Sequence, residues 1–432
     1  DCMIMKILAR TIAFVTITRF TFIHCLSASN VEDQTCNAGN STPACIHKTG
    51  PGDMTATSKS STIKKEDMFE FILAEDFHSI DPSLPSSVKE IKSRGGHRCW
   101  HKHNTFLEHL LGVHNILRLW GEDEIVGRVG LFHSAYSNSY VNLALFDPKK
   151  DTEREIMRSI IEKEAEDIVY LFCIIDRQSV VVDTLLAQGF IPPEGLNVPH
   201  LRDEDATIHL TPEVLRLLII FTMADVADQY FGWQDELFGG SEKVNSMLLP
   251  GQDDVSQHNS EALWPGPSRP GLWMSYVSQL GMVANTYQGK GNIGIPPVFK
   301  NCTQVLSREM EATAIELYWD VVSNHEHSSE DAVDKLQRSS ELNPWFFECH
   351  VLLAQKYLHR NENERAKAAA DRAMELQVAW GTAYDKRMSF PAWVAWTRVL
   401  HNRAAEQLGW PRNSWEVNNF GMVPILVSTD GK

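Results

Sequence analysis

From Lys65 onward the apolar positions recur at helical spacing. Residues 66–77 place Met68, Phe69, Phe71, Ile72 and Leu73 along a helix, and 86–93 read as a shorter one. A capping box, Thr105-x-x-Glu108, opens the next helix. Phe106, Leu110, Val113, Leu117 and Trp120 then keep a spacing of three or four, and Gly121 stands where a helix C-terminus needs positive φ. A partner helix over about 123–133 carries Ile125, Val126, Val129, Leu131 and Phe132. The pattern predicts further helices at 151–163, 164–176, 178–188 and 212–231. Strand signals are weak: 179–182 is β-branched but has no partner run. The expected fold class is all-α.

Residues 239–304 change character, with Gly and Pro breaks between short apolar patches, so a loop-rich connection with one helix at 272–285 is expected. A 34-residue period follows. It relates Ala332 to Ala366, Ser339 to Ala373 and Trp319 to Leu353, with Asn343-Pro344 at the junction. In the second unit Leu353-Ala354, Tyr357, Ala366 and Ala373 resemble the small and large packing positions of a tetratricopeptide repeat. Two helix pairs between about 311 and 376, and a last helix at 391–408, would make a short solenoid spanning 305–410. With fewer than three repeats it should lean on the preceding domain, 65–238. Residues 411–432 read as a tail.

Ahead of the helices, Lys6 and Arg10 precede an apolar run at 11–26 that Arg19 interrupts, and Ser27-Ala28-Ser29 follows. Residues 1–29 therefore read as a signal-like leader for the secretory pathway or an organelle, too short and too charged for a membrane span. The alternative is an amphipathic helix on a cytoplasmic protein. Residues 30–64 lack any apolar period and read as a disordered linker. Cys36 and Cys45 could close a small loop there in an oxidising compartment, and sequons begin at Asn40 and Asn301.

Composition narrows the function classes. Lys and Arg number 40 against 56 Asp and Glu, a net charge of −16 with no basic block, which argues against nucleic acid as a partner. Eight Cys without a CxxC pair give neither a disulfide scaffold nor a zinc knuckle. No G-x-S-x-G, Walker or G-x-G-x-x-G motif occurs.

The chemistry concentrates on three residues. His109 lies inside the helix that Thr105 opens, and His133 ends the next, in Gly130-Leu-Phe-His-Ser-Ala-Tyr. Asp225 sits in an apolar helix, LLIIFTMADVADQ, where a carboxylate is costly unless paired or metal-bound. Two imidazoles and a carboxylate suit one divalent ion such as Fe, Mn or Zn. Asp228 could orient a ligand or face solvent; Arg154 and Arg177 could clamp a phosphate, although Arg154 lies among charges that suit a solvated face. His101, His103 and His114 read as loop or surface residues, and Tyr136 as a residue of the core or the pocket wall.

In this order the residues resemble the His … His-Asp … Asp series of HD-superfamily metal-dependent phosphohydrolases. The stretch 105–146, with His109-Leu110, 117–121 and 130–136, resembles more closely an uncharacterised HD-related family of unknown function, and 381–396 (GTAYDKRMSFPAWVAW) resembles a segment of the same kind of protein. The resemblance implies a helical bundle whose metal site coordinates phosphate and an activated water. The doublet Asp is replaced by Ser134, a poor ligand, so a second, bridged ion is not expected. The expected activity is metal-dependent hydrolysis of a phosphate ester, with His109, His133 and Asp225 on the metal and Ser134 and Tyr136 as catalytic residues. The alternatives are a non-catalytic protein-interaction module with a degenerate HD-like shell, and a non-haem iron oxygenase, since the superfamily includes diiron inositol oxygenases. The substrate would be small and phosphorylated or oxidisable, and the helical repeat would serve a protein partner.

Overall fold

The structure is a computed structural model that describes residues 63–101, 103–137, 144–229, 271–287, 289, 294–324, 329–414 and 416. The expected leader, nearly all of the linker with Cys36, Cys45 and the Asn40 sequon, much of the 239–304 connection, and most of the tail lie outside the described residues. What is described is mainly helical, and the all-α class holds. None of its helices is long and apolar enough to cross a membrane.

Three helices, α1 (Lys65–Leu73), α2 (Phe77–Ile80) and α3 (Leu84–Ser93), lead to a hairpin of β1 (Trp100–His101) and β2 (Asn104–Thr105). Helix α4 (Phe106–Leu119) starts at Thr105, whose Oγ1 accepts the Glu108 N–H at 3.2 Å, and Gly121 just beyond it takes φ 89°. Asp123 caps α5 (Glu124–Phe132) in the same way, accepting from Val126 N at 2.9 Å. The helices predicted at 151–163 and 164–176 form one element, α6 (Asp151–Ile174), broken at Glu162, where φ is 71°. The helix predicted at 178–188 is π-helical over Ser179–Leu186.

The sequence pattern did not reveal the second hairpin, β3 (Leu196–His200) and β4 (Asp203–Leu210). Leu196 faces Leu210 and Val198 faces Ile208, but Val198 and Leu210 are the buried residues of an otherwise open ribbon. Such a half-buried pair produces little apolar alternation. Helix α7 (Pro212–Gln229) follows and packs across α4.

In the C-terminal half, α8 (Met274–Asn285) precedes a turn at 298–302 where Phe299, Lys300 and Asn301 all have φ near +50°. A left-handed run costs roughly 1–2 kcal/mol per residue. Phe299 offsets it by full burial between Trp345 and Trp380. Then come α9 (Arg308–Ser323), α10 (Ser329–Leu342), α11 (Phe347–His359), α12 (Asn363–Trp380) and α13 (Phe390–Ala405), consecutive helices packed side by side. The residues that showed the 34-residue period are core residues: Ala332, Ala366, Ser339 and Ala373 are all buried, as are Trp319 and Leu353.

Both halves share one hydrophobic core. Helix α12 packs on α1 and α4, and Trp120 Nε1 donates to Ala379 O at 3.0 Å. Buried carboxylates tie the same seam. Glu311 of α9 accepts the N–H groups of Trp273, Met274 and Ser275, each at 2.8 Å, so another helix supplies the anion that the α8 N-terminus favours. It also accepts the Tyr384 hydroxyl at 2.8 Å. Glu348 of α11 accepts Tyr384 N and Asp385 N at 2.7 and 2.9 Å.

Two stability predictions follow from these groups. Glu311→Ala leaves four buried donors, three N–H groups and the Tyr384 hydroxyl, without their acceptor, so urea unfolding should show a loss of roughly 3 kcal/mol or more; a loss below about 1 kcal/mol would contradict this account. Glu122 is buried, and burial and then Asp123 push its pKa up to about 8. The folded state therefore keeps a proton that the unfolded chain releases near 4.5, and stability falls as pH rises from about 5 to 8. Glu122→Gln should flatten that decline and stabilise the protein at pH 8 by on the order of 1 kcal/mol, read from unfolding curves at pH 5, 6.5 and 8.

Candidate metal centre

The two caps place the two imidazoles. Thr105 fixes the start of α4, so His109 points inward one turn later, and His133 closes the end of α5. Asp225 comes from the last turns of α7. All three are buried, with 4%, 5% and 3% of their surfaces exposed.

Each imidazole has one nitrogen committed. His133 Nδ1 donates to Gly130 O at 2.8 Å, and His109 Nδ1 donates to Asp228 Oδ2 at 2.7 Å. The Nε2 atoms are left facing each other and Asp225. They lie 3.4 Å apart, and Asp225 Oδ1 lies 3.3 Å from His109 Nε2 and 3.8 Å from His133 Nε2. The point equidistant from three atoms at these separations is about 2.0 Å from each, the length of a Zn–N or Zn–O bond. The cluster thus has the size and donor set of a three-ligand site for a divalent ion.

Charge is arranged to match. Arg177 Nη2 holds the other Asp225 oxygen at 2.6 Å and lies over the Phe221 ring. Burial works against the Asp225 anion, but Arg177 and then His109 hold its carboxyl well below the usual range. Burial also opposes a charge on His109, yet its bonds to Asp225 and Asp228 raise it to about 9. His133, with burial dominant, falls to about 4. An incoming cation would take the place of the His109 Nε2 proton, because ligation requires a bare nitrogen.

Around the centre, Gln229 Nε2 donates to Asp225 Oδ1 at 3.1 Å, and Gln229 Oε1 lies 3.2 Å from His101 Nε2. His101 stacks on His109, ring centroids 4.4 Å apart. A cavity of about 30 Å³, room for a single water, opens among His101, His103, Glu108, His109, Asp228 and Gln229. From the C-terminal segment Lys386 adds a cation: burial lowers it to about 8, against the opposing fields of Asp228, Glu348 and Asp385.

Of the residues expected at the site, His109, His133 and Asp225 converge. Ser134 is buried directly after His133. Tyr136 does not serve the pocket as a catalytic hydroxyl: it donates to Glu166 Oε1 at 2.9 Å, deep in the core. Arg154 is likewise drawn to Glu166, at 2.7 Å, rather than lying on a solvated face or at a phosphate. Glu166 is fully buried, and two arginines and a tyrosine are the partners that make it tolerable. His114 is no surface residue either; it is fully buried, and burial lowers it to about 4. His101 and His103 sit on the hairpin but line the cavity. Sequence reasoning missed the parts of Gln229 and Glu108. The one available signal was the spacing 225, 228, 229, which shares a helix face.

Asp228 can reach His109 because residue 112 is glycine: a Cβ there would lie 1.9 Å from Asp228 Oδ1. Gly112→Ala should therefore push Asp228 off His109 and weaken metal binding about 10–100-fold, as should Asp228→Asn. Chelator competition would check this; unchanged affinity in both variants would remove Asp228 from the site.

Residues 90–177, which include His109 and His133 but not Asp225, match the family model of a domain of unknown function (DUF6817). No curated protein and no solved structure matches the chain.

Proposed function

We propose that the chain is a metal-dependent hydrolase of small phosphate esters that works with a single divalent ion. One observation carries the reading: His109 Nε2, His133 Nε2 and Asp225 Oδ1 form a buried triangle whose centre is a metal–ligand bond length from each. The ion would supply a bound water of lowered pKa and polarise the ester. The chain's own residues do the rest. Asp228 and Gly130 O fix which nitrogen each histidine offers. Arg177 keeps Asp225 ionised, and its Nη1, buried and without a partner among the described residues, would be a donor for a phosphoryl oxygen. Ser134 occupies the position where the HD-like pattern has its bridging carboxylate, which limits the site to one ion. The helical repeat would carry a protein partner.

Elemental analysis of the purified chain, with phosphate release from aryl mono- and diesters in added Mn, Fe or Zn, tests the proposal. We expect at most one ion per chain, and loss of both metal and activity in His109→Ala and Asp225→Asn. Ser134→Asp should admit a second ion and raise the rate. Bound iron with oxygen uptake but no phosphate release would select the oxygenase reading, which the two-His, one-carboxylate set also suits. Absence of any ion under all metals would leave a non-catalytic interaction module.

A further inference from the structure

The hairpin beside the metal centre is too small to hold itself in place. Strands β1 and β2 pair Trp100 with Thr105 and His101 with Asn104, and Phe106 N donates to Cys99 O at 2.8 Å. An isolated two-stranded ribbon is at best marginally stable in water, even when longer than this one. Two contacts of His101 tie it to the centre. Its ring stacks on His109, with centroids 4.4 Å apart and planes inclined by 29°, and its Nε2 lies 3.2 Å from Gln229 Oε1.

The orientation of the Gln229 amide follows from its other partner. Asp225 pairs with Arg177 at 2.6 Å and is ionised, so its Oδ1 can only accept. The end of Gln229 that lies 3.1 Å from that oxygen is therefore the NH2 group, and the carbonyl turns to His101. A carbonyl has no hydrogen to give, so His101 Nε2 carries the proton of this bond. Donors thus run in one direction, from the hairpin through the amide to the carboxylate that faces the metal position. Gln229 reaches Asp225 because it stands one turn later on α7.

We propose that Gln229 is a positioning residue of the metal centre: with one amide it orients Asp225 Oδ1 and latches His101 over the face of His109, so that a bound ion leaves only when the hairpin lifts. His109 has little freedom to turn off the ion while Asp228 holds its Nδ1 at 2.7 Å and the His101 ring covers one of its faces. Asp225 is held likewise, Oδ2 by Arg177 and Oδ1 by Gln229. The cavity that His101 and Gln229 line has a volume of about 30 Å³, so with the hairpin down it admits a water but no chelator. The latch presupposes the metal site proposed above and adds to it a residue that touches neither ion nor substrate.

The test uses the full chain, with zinc as the probe. In the metal-free protein the His101 Nε2 proton should be visible by NMR and protected from exchange, whereas an imidazole N–H open to water exchanges too fast to be seen. Contacts with the Phe106 ring, whose centroid lies 5.7 Å from that of His101, assign it. Gln229→Met, which keeps the length of the side chain and removes both amide groups, should erase the signal. In the zinc-loaded protein Gln229→Met should speed release to a chelator about tenfold. His101→Phe, which keeps a ring on His109 without the donor, should do the same. The double variant should release zinc no faster than either single one, as expected of two partners in one bond. An unprotected His101 proton in the unaltered chain would overturn the proposal, and that measurement requires no variant to fold. So would additive effects, about a hundredfold in the double variant, which would make the two residues independent packing elements. A chain that shows the protected proton but binds no zinc would remove the metal centre proposed above and keep Gln229 as the residue that positions His101 and Asp225.

Discussion

A carboxylate in the middle of an apolar helix needs partners, and much of the first half of this protein is arranged around that need. Asp225 is buried among Leu218, Phe221 and Ala224, where an unpaired charge would cost several kcal/mol. Arg177 takes one of its oxygens, and His109, His133 and Gln229 surround the other. Those partners come from α4, from the end of α5 and from the segment after α6, so helices distant in sequence must meet at one point. The glycines of the region serve this convergence. Gly112 leaves room for Asp228, and a Cβ at Gly130 would lie 2.6 Å from Leu117 Cδ1, so its absence lets α5 approach α4.

The same principle recurs in the second half with different partners. Glu311, Glu348 and Asp385 are fully buried. Glu311 and Glu348 accept backbone N–H groups, and Asp385 accepts the Tyr318 hydroxyl at 2.7 Å and pairs with Arg387. Together they hold the segment after α12 in a defined path, and that segment brings Lys386 toward Asp228. The C-terminal helices are thus packed onto the first half rather than appended to it.

Some of this was legible beforehand and some was not. The start of α4 could be read because Thr105 acts on a residue three positions away; that Asp123 caps α5 in the same way emerged only from the structure. The small residues of the 34-residue period marked helix contacts because close approach leaves only Ala or Ser as fitting side chains. Asp225 announced itself by being out of place. By contrast Tyr136 and Arg154 could not be assigned, because their partner Glu166 lies 30 and 12 residues away and looks like any other acid in a charged helix. His114 was misjudged because its full burial comes from helices packed over α4, which its neighbours in sequence do not reveal.

The amino-acid sequence by itself indicated most of the helices, the cap at Thr105, the 34-residue period and the three residues with ligand chemistry. These depend on interactions within about four residues, or on a residue type at odds with its local surroundings, and both are visible along a chain. Tertiary structure alone decided which nitrogen each histidine presents, that three atoms lie at bonding radius from one centre, and that Tyr136 belongs to the core. Each of these depends on distances of a few tenths of an ångström between residues far apart in the chain, and spacing along the sequence carries no measure of such distances.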